Sequence, residues 1–314
     1  MLETQNLRRT FGQKVAVHGL NLTVEKGQVM ALLGPNGAGK STTMKMLTGF
    51  LKPTSGRALI QETDIWKHPR KAKQQIGYLP ESAPLYSDQS VLEYLTYLGH
   101  LKRLKGPELK SAIDRAIDRC FLSSVRNQAI NSLSKGYRHR VCLAQSILAD
   151  PPILIFDEPT DGLDPNQKQE IRNLIDEFRQ DKAIILSTHI LEEVNAVATH
   201  VLLMHQGKKL FYGTPDLLRT TANVHGTLKI KLGNGQTEAA RKFLTEVPAI
   251  ESIASPDPKT IILSPADRPA TDRSDFSQKV LHALQSQNIS PEEMHYLKGH
   301  LPDIFRDLTS NDAA

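Results

Sequence analysis

An α/β fold is predicted by this sequence: a parallel-sheet core, an all-helical insert over about residues 88–150, and from about residue 222 a small second α/β unit. Three observations lead there. Gly34-Pro35-Asn36-Gly37-Ala38-Gly39-Lys40-Ser41-Thr42 fits the spacing G-x-x-x-x-G-K-[ST], with an apolar run before it and a helix-like run after it. Strand-like and helix-like runs alternate at Ile153–Asp157, Gln167–Arg179, Ala183–Ser187 and Leu191–Val197. From Ser90 to about residue 150 the intervening pattern is helical.

Taken in order, residues 2–33 read as strands and turns, and Gln28–Leu33 as a short buried parallel strand. Ser41–Leu47 reads as a helix that ends near Gly49. Pro53-Thr54-Ser55-Gly56 turns the chain into a strand over Arg57–Ile60, and Ile76–Leu79 is another. Ser90 and Glu93 fit a capping box, and Val91, Leu95, Leu98 and Leu101 follow at helical spacing. Further helices are expected at Glu108–Leu122 and His139–Leu148. Beyond about residue 220, strands are expected at Thr227–Leu232, Ile250–Ala254 and Thr260–Leu263. Helices are expected at Glu238–Thr245, Phe276–Gln287 and Leu301–Leu308, with a polar loop over Pro265–Ser274. The domains read as 1–221 and 222–314.

Composition narrows the class. With 39% hydrophobic and 23% charged residues the 314-residue chain resembles an ordinary soluble protein. Apolar runs such as Ile153–Phe156 and Val201–Met204 are far too short to cross a bilayer. Glu3 and Arg8-Arg9 interrupt any signal-peptide pattern. Cys120 and Cys142 lack metal-ligand spacing and read as core residues, so a cytoplasmic location is expected. Residues 222–314 hold 10 Lys/Arg and 12 Asp/Glu, so the net charge of +5 comes from a first part carrying +7. That excess suits an anionic ligand or a membrane face, and is too weak to argue for nucleic acid. The basic run Lys67–Lys73 reads as a solvated face.

The chemistry follows from residue types. Glycines let backbone N–H groups curl around an anion, and the helix starting near Gly39 adds its positive end. Lys40 would reach the β- and γ-phosphates and Ser41 would offer its hydroxyl to Mg²⁺, as in P-loop NTPases. Asp157 and Glu158 end a buried strand; the first is suited to Mg²⁺ and the second to polarising an attacking water. His189, just after the strand Ala183–Ser187, reads by itself more readily as a capping or packing residue than a catalytic one.

Leu133-Ser134-Lys135-Gly136-Tyr137 precedes a helix, and Pro159–Asp164 follows the carboxylates. With these in place the chain resembles the ATP-binding cassette (ABC) ATPase family over about residues 2–220. The resemblance implies a P-loop NTPase with a RecA-like core, binding ATP and Mg²⁺. It makes Gly34–Thr42 the Walker A loop, Phe11 the aromatic on adenine, Asp157 the Walker B aspartate and Glu158 the general base. It makes Ser134 and Gly136 signature-loop contacts to phosphate, Asp164 the end of the D-loop, and His189 the switch histidine on the γ-phosphate. Glu81 falls at the Q-loop, near Mg²⁺ and the attacking water, where the family has Gln; Lys135 and Tyr137 stand where Gly and Gln are common.

In that family two cassettes close head to tail around two ATP molecules, so the partners implied are a second copy and a multi-span permease, with no nucleic acid. The location implied is peripheral, on the inner face of the cell membrane. Gly77–Glu81, Pro84–Tyr86 and the Lys-Gly-Tyr signature resemble ATPases of ABC-2-type exporters, of the gliding-motility, sodium-efflux and copper-site-maturation kinds. The terminal segment Leu301–Thr309 resembles the short helix that ends many of them. Two alternatives stay open: a soluble ABC ATPase acting on nucleic acid or ribosomes, and a regulatory cassette that binds ATP without turning it over.

Overall fold

Two sheets of opposite character build the first part of the chain in the computed structural model, which describes residues 1–81, 85–221, 227–233, 235–266 and 273–297. Strands β1 (Leu2–Phe11), β2 (Lys14–Val24), β4 (Ser55–Ile60) and β5 (Thr63–Asp64) form an antiparallel sheet in the order β2-β1-β4-β5. Its alternation is visible on β1, where Leu2, Thr4 and Leu7 are buried. Register shifts between Thr4 and Leu7 and again near Arg9 bend the strand toward its exposed end.

The second sheet runs β10-β9-β3-β8-β7-β6, with β3 at Val29–Leu33, β6 at Ile76–Leu79, β7 at Ile153–Asp157, β8 at Ala183–Thr188, β9 at His200–His205 and β10 at Lys208–Gly213. All its pairings are parallel except β9–β10. Every residue of β3, β7 and β8 is buried, because both faces of the sheet are covered. Register then matters for function. Leu33 lies beside Thr188, Asp157 beside Ser187, and Leu79 beside Phe156. The segments leaving β3, β6, β7 and β8 therefore depart from one edge, the carboxyl ends of parallel strands, where α/β sheets bind ligands. The hairpin β9–β10 was not expected as two strands; Gln206 and Gly207, at φ 47° and 77°, make the tight turn that reverses it.

Helices α1 (Lys40–Leu47), α2 (Pro69–Gln74), α6 (Pro165–Phe178), α7 (Leu191–Val197) and α8 (Pro215–Thr221) join or follow these strands. The insert holds α3 (Val91–Leu101), α4 (Gly106–Arg119) and α5 (Lys135–Ile147). The reciprocal bonds of Ser90 and Glu93 open α3, as the spacing implied. Helix α5 begins four residues earlier than the expected start at His139. The Ser134 hydroxyl accepts from Tyr137 N at 3.3 Å and caps it, which puts Lys135, Gly136 and Tyr137 in its first turn. The expected helix to Leu122 stops at Arg119; Phe121, at φ 54°, has left the helical path. The basic run 67–73 supplies all but the last residue of the short helix α2.

The chain divides at Pro215/Asp216. In the second unit β11 (Leu228–Lys231), β12 (Ile250–Asp257), β13 (Thr260–Pro265) and β14 (Glu293–Tyr296) form an antiparallel sheet ordered β12-β13-β11-β14. Helices α9 (Thr237–Leu244) and α10 (Arg273–Gln285) complete it. Leu228, Ile230, Ile261, Leu263, Phe276, Val280 and Leu284 fill its own core. Strand β14 had no sequence signal, because none of its four residues is fully buried. The expected helix Leu301–Leu308 and the residues 267–272 of the expected loop lie outside the described residues.

Candidate functional site

At the carboxyl edge of β3 the loop Gly34–Gly39 is shaped by its neighbours. Gly39 takes φ 105°, and a Cβ there would come within 2.7 Å of the Ala16 carbonyl oxygen, so only glycine fits. Helix α1 begins at the next residue with no side-chain cap and no acidic residue in its first turn. Its N-terminus is left as an anion site in a loop built for backbone donors.

The Lys40 side chain lies back along that loop. Nζ donates to Gly34 O at 2.7 Å and Pro35 O at 3.3 Å, and stands 3.9 Å from Glu158 Oε1. Only 5% of Lys40 is exposed, and burial lowers its pKa below the usual lysine value; Glu158, Asp157 and Glu81 oppose the shift. An ammonium parked on neutral carbonyls in a desolvated site is suited to anionic oxygens.

Across the loop, one hydroxyl organises two carboxylates. Ser187 Oγ, opposite Asp157 in register, donates to Asp157 Oδ1 at 2.6 Å and accepts from Glu158 N at 2.9 Å. Glu158 is held at φ 50°, a conformation that costs a non-glycine residue about 1–3 kcal/mol and is found where function demands it. Burial raises the pKa of its carboxyl above the ordinary value, while the His189 hydrogen bond and the charges of His189 and Lys40 pull it down. His189 Nδ1 lies 3.1 Å from Glu158 Oε2. It does not cap α7, whose N-cap is Ile190. The sequence marks Ser187 only as a strand end, since nothing in one sequence pairs it with residue 157.

Phe11, 46% exposed at the end of β1, carries the Arg9 guanidinium 4.5 Å from its ring centroid. Arg9 in turn donates to Lys52 O at 2.7 Å, which steadies the stack. Phe11, residues 35–42, Glu81, Glu158 and His189 line one cavity of about 860 Å³. Lys14, Val15, Ala16 and His18 of β2, Asp161 and Gln206 line it too and were not foreseen. Asp161 falls within the run Pro159–Asp164, but its position carried no separate signal.

Five expected residues lie off that cavity. Gly34 is tucked beneath Met204, where a Cβ would meet the carbonyl oxygen at 2.4 Å, and Asp157 is 3% exposed behind Ser187. Ser134, Gly136 and Asp164 form a second group. Ser134 caps α5; Asp164 Oδ1 accepts from Gln167 N at 2.9 Å and caps α6; Gly136 lies against the Gln167 side chain. As for Mg²⁺, among the described residues no group of three or more His, Cys, Asp or Glu could hold a metal. Mg²⁺ takes one or two carboxylates, and fills its octahedron with phosphate oxygens and water. The donors Ser41, Asp157 and Glu81 are of that hard oxygen kind.

The chain is similar to known proteins. Residues 17–161 match the family model described as ABC transporter. The chain is 37% identical over 205 residues to the ABC transporter ATP-binding protein NatA of Bacillus subtilis, covering 65% of this chain and 83% of that one. It is 34% identical over 219 residues to the Nod factor export ATP-binding protein I of Cupriavidus metallidurans, covering 69% and 72%. Among solved structures, cbiO1 from Clostridium perfringens, titled as part of the ABC transporter complex cbiONQ, superposes with a TM-score of 0.62. The sequences are 29% identical, over 79% of this chain and 95% of that one.

Proposed function

This chain belongs to the ABC transporter ATP-binding family and is an ATP hydrolase, and from that premise we propose that it drives a separate membrane-spanning permease through ATP-dependent closure of two of its own copies, head to tail. One observation carries the reading: Lys40, Glu158 and His189 meet across a single cavity while Ser134 and Gly136 stand away from it. A site whose hydrolytic groups are assembled but whose remaining phosphate donors point elsewhere is completed by a second chain.

On this reading adenine stacks on Phe11 and the phosphates lie in Gly34–Thr42. Lys40 exchanges the Gly34 and Pro35 carbonyls for β- and γ-phosphate oxygens. Ser41, Asp157 and Glu81 would hold Mg²⁺, which when bound neutralises charge on those oxygens. Glu158 takes a proton from the attacking water, and the burial that raises its pKa makes it the stronger base. His189 fixes the Glu158 carboxyl and contacts the γ-phosphate. Ser134, Gly136 and the positive end of α5 in the second copy close over that phosphate, with Asp164 beside them. Hydrolysis removes the contact that distinguishes the closed state from the open one, so the pair separates.

Residues 1–221 act as the nucleotide-binding domain, and 222–314 as an accessory unit for regulation or contact between copies. No helix among the described residues is long and apolar enough to cross a membrane; a peripheral place on the inner face of the cell membrane, beside a permease, is part of the proposal. The export direction is supported by the name of the Cupriavidus relative. The test is to recover tagged Glu158→Gln protein from detergent-solubilised membranes of its host with ATP and Mg²⁺. A polytopic membrane protein is expected in the eluate. Ribosomes or nucleic acid alone, from a variant that still binds ATP, would overturn the reading.

A further inference from the structure

Glu193 is a buried carboxylate to which neither the family motifs nor the cavity assigns a part. It is 6% exposed on α7 and its contacts come from three separate segments. Oε1 accepts from the Thr160 hydroxyl and, at 3.3 Å, from Lys168 Nζ of α6; Oε2 accepts from the Thr188 hydroxyl at 2.7 Å. Thr188 Oγ1 also accepts from Ile190 N at 3.1 Å, so its proton is committed to Glu193. Thr160 lies two residues after Glu158, and Thr188 immediately precedes His189.

One carboxylate thus clamps both segments whose side chains meet at 3.1 Å in the cavity. A buried charge is costly unless fully partnered, and here all three partners donate. Only an acceptor with four lone-pair sites and no proton satisfies them together. We propose that Glu193 is a positioning residue for ATP hydrolysis, locking the Glu158 and His189 segments to each other through Thr160 and Thr188. This rests on the hydrolytic roles proposed for Glu158 and His189. Glutamine fits the same space, but its amide nitrogen must face either the Lys168 ammonium or the Thr188 hydroxyl, which would then accept from the amide and lose the acceptor for its own proton.

Steady-state ATP hydrolysis by the full chain, purified with any membrane subunit it retains, tests the idea. Glu193→Gln should lower kcat roughly 10- to 100-fold, the range a displacement near 1 Å produces, while KM for ATP stays within about twofold. The phosphate loop and Phe11 are not among the groups it holds. Thr188→Val should lower kcat in the same sense, and Thr188→Ser, which keeps the hydroxyl, should recover it. Turnover of Glu193→Gln within twofold of wild type, or a rise in KM matching any loss in kcat, overturns the proposal. Should Glu193→Gln not fold, the Thr188 pair decides: equal kcat for Val and Ser variants overturns it. Wild-type protein without any hydrolysis would instead overturn the reading beneath it.

Discussion

Helix α1 opens on Gly39 with no side-chain cap, whereas α5 and α6 open on Ser134 and Asp164, each bonded to a backbone N–H of its own first turn. The difference matches the two halves of the nucleotide site proposed above. Around α1 the groups are assembled and held away from their ordinary states: Lys40 rests on carbonyls, its pKa lowered by burial, and Glu158 sits at φ 50° with its pKa raised. Backbone strain of this kind collects at functional sites. At the openings of α5 and α6 the capping oxygens already have partners within the chain: Ser134 Oγ accepts from Tyr137 N and Asp164 Oδ1 from Gln167 N. On the proposed reading, that half gains its chemical role when offered to a second copy.

The largest effect is expected from separating the halves. Lys40→Ala and Ser134→Arg should each lower ATP hydrolysis by about 100-fold or more, since each removes or blocks a donor to the reacting phosphate. Equimolar mixing should restore measurable turnover, because a mixed pair holds one site with both halves intact. A mixture as inactive as its components would break the comparison, leaving Ser134 no role on a second copy.

Next in size is the cavity wall. Phe11→Ala should weaken ATP binding by about 1–2 kcal/mol, roughly 5- to 30-fold in Kd by titration calorimetry. An unaltered Kd would move the adenine off Phe11 and leave the Arg9 stack a structural feature only. Smallest is the cap. Asp164→Ala should cost about 1 kcal/mol in urea unfolding, with Asp164→Asn close to wild type. Equal stability of the Ala variant would show that α6 does not depend on its own cap, and so blur the contrast with α1.

The phosphate loop is legible in the residues alone. The spacing of Gly34, Gly39 and Lys40 is short because the loop is short, and a local backbone shape is what local sequence encodes. The capping box at Ser90 and Glu93 is legible for the same reason. The pattern places the start of α5 four residues late: Gly136 and Tyr137 are poor helix formers, and the Ser134 cap that overrides them reads equally as a phosphate ligand. Strand β14 leaves no trace because a half-exposed strand has no apolar run or alternation to find. Arg9 is not legible as a partner of Phe11, because an arginine in a strand reads as a solvated charge until the fold brings it over a ring.

What the sequence by itself determined were the contiguous pieces: the loop Gly34–Thr42, the buried strand ending in Asp157 and Glu158, and the helical insert, each set by patterns a few residues long. Their juxtaposition was decided by the sheet. Parallel register sets Leu33 beside Thr188 and Asp157 beside Ser187, and from that alignment follow the Ser187 bridge, the approach of His189 to Glu158 and the Glu193 clamp. Parallel strands pair only across long crossovers, so the partners of each lie far away in the chain. No pattern within one segment carries the identity of its neighbour; packing of the whole core does.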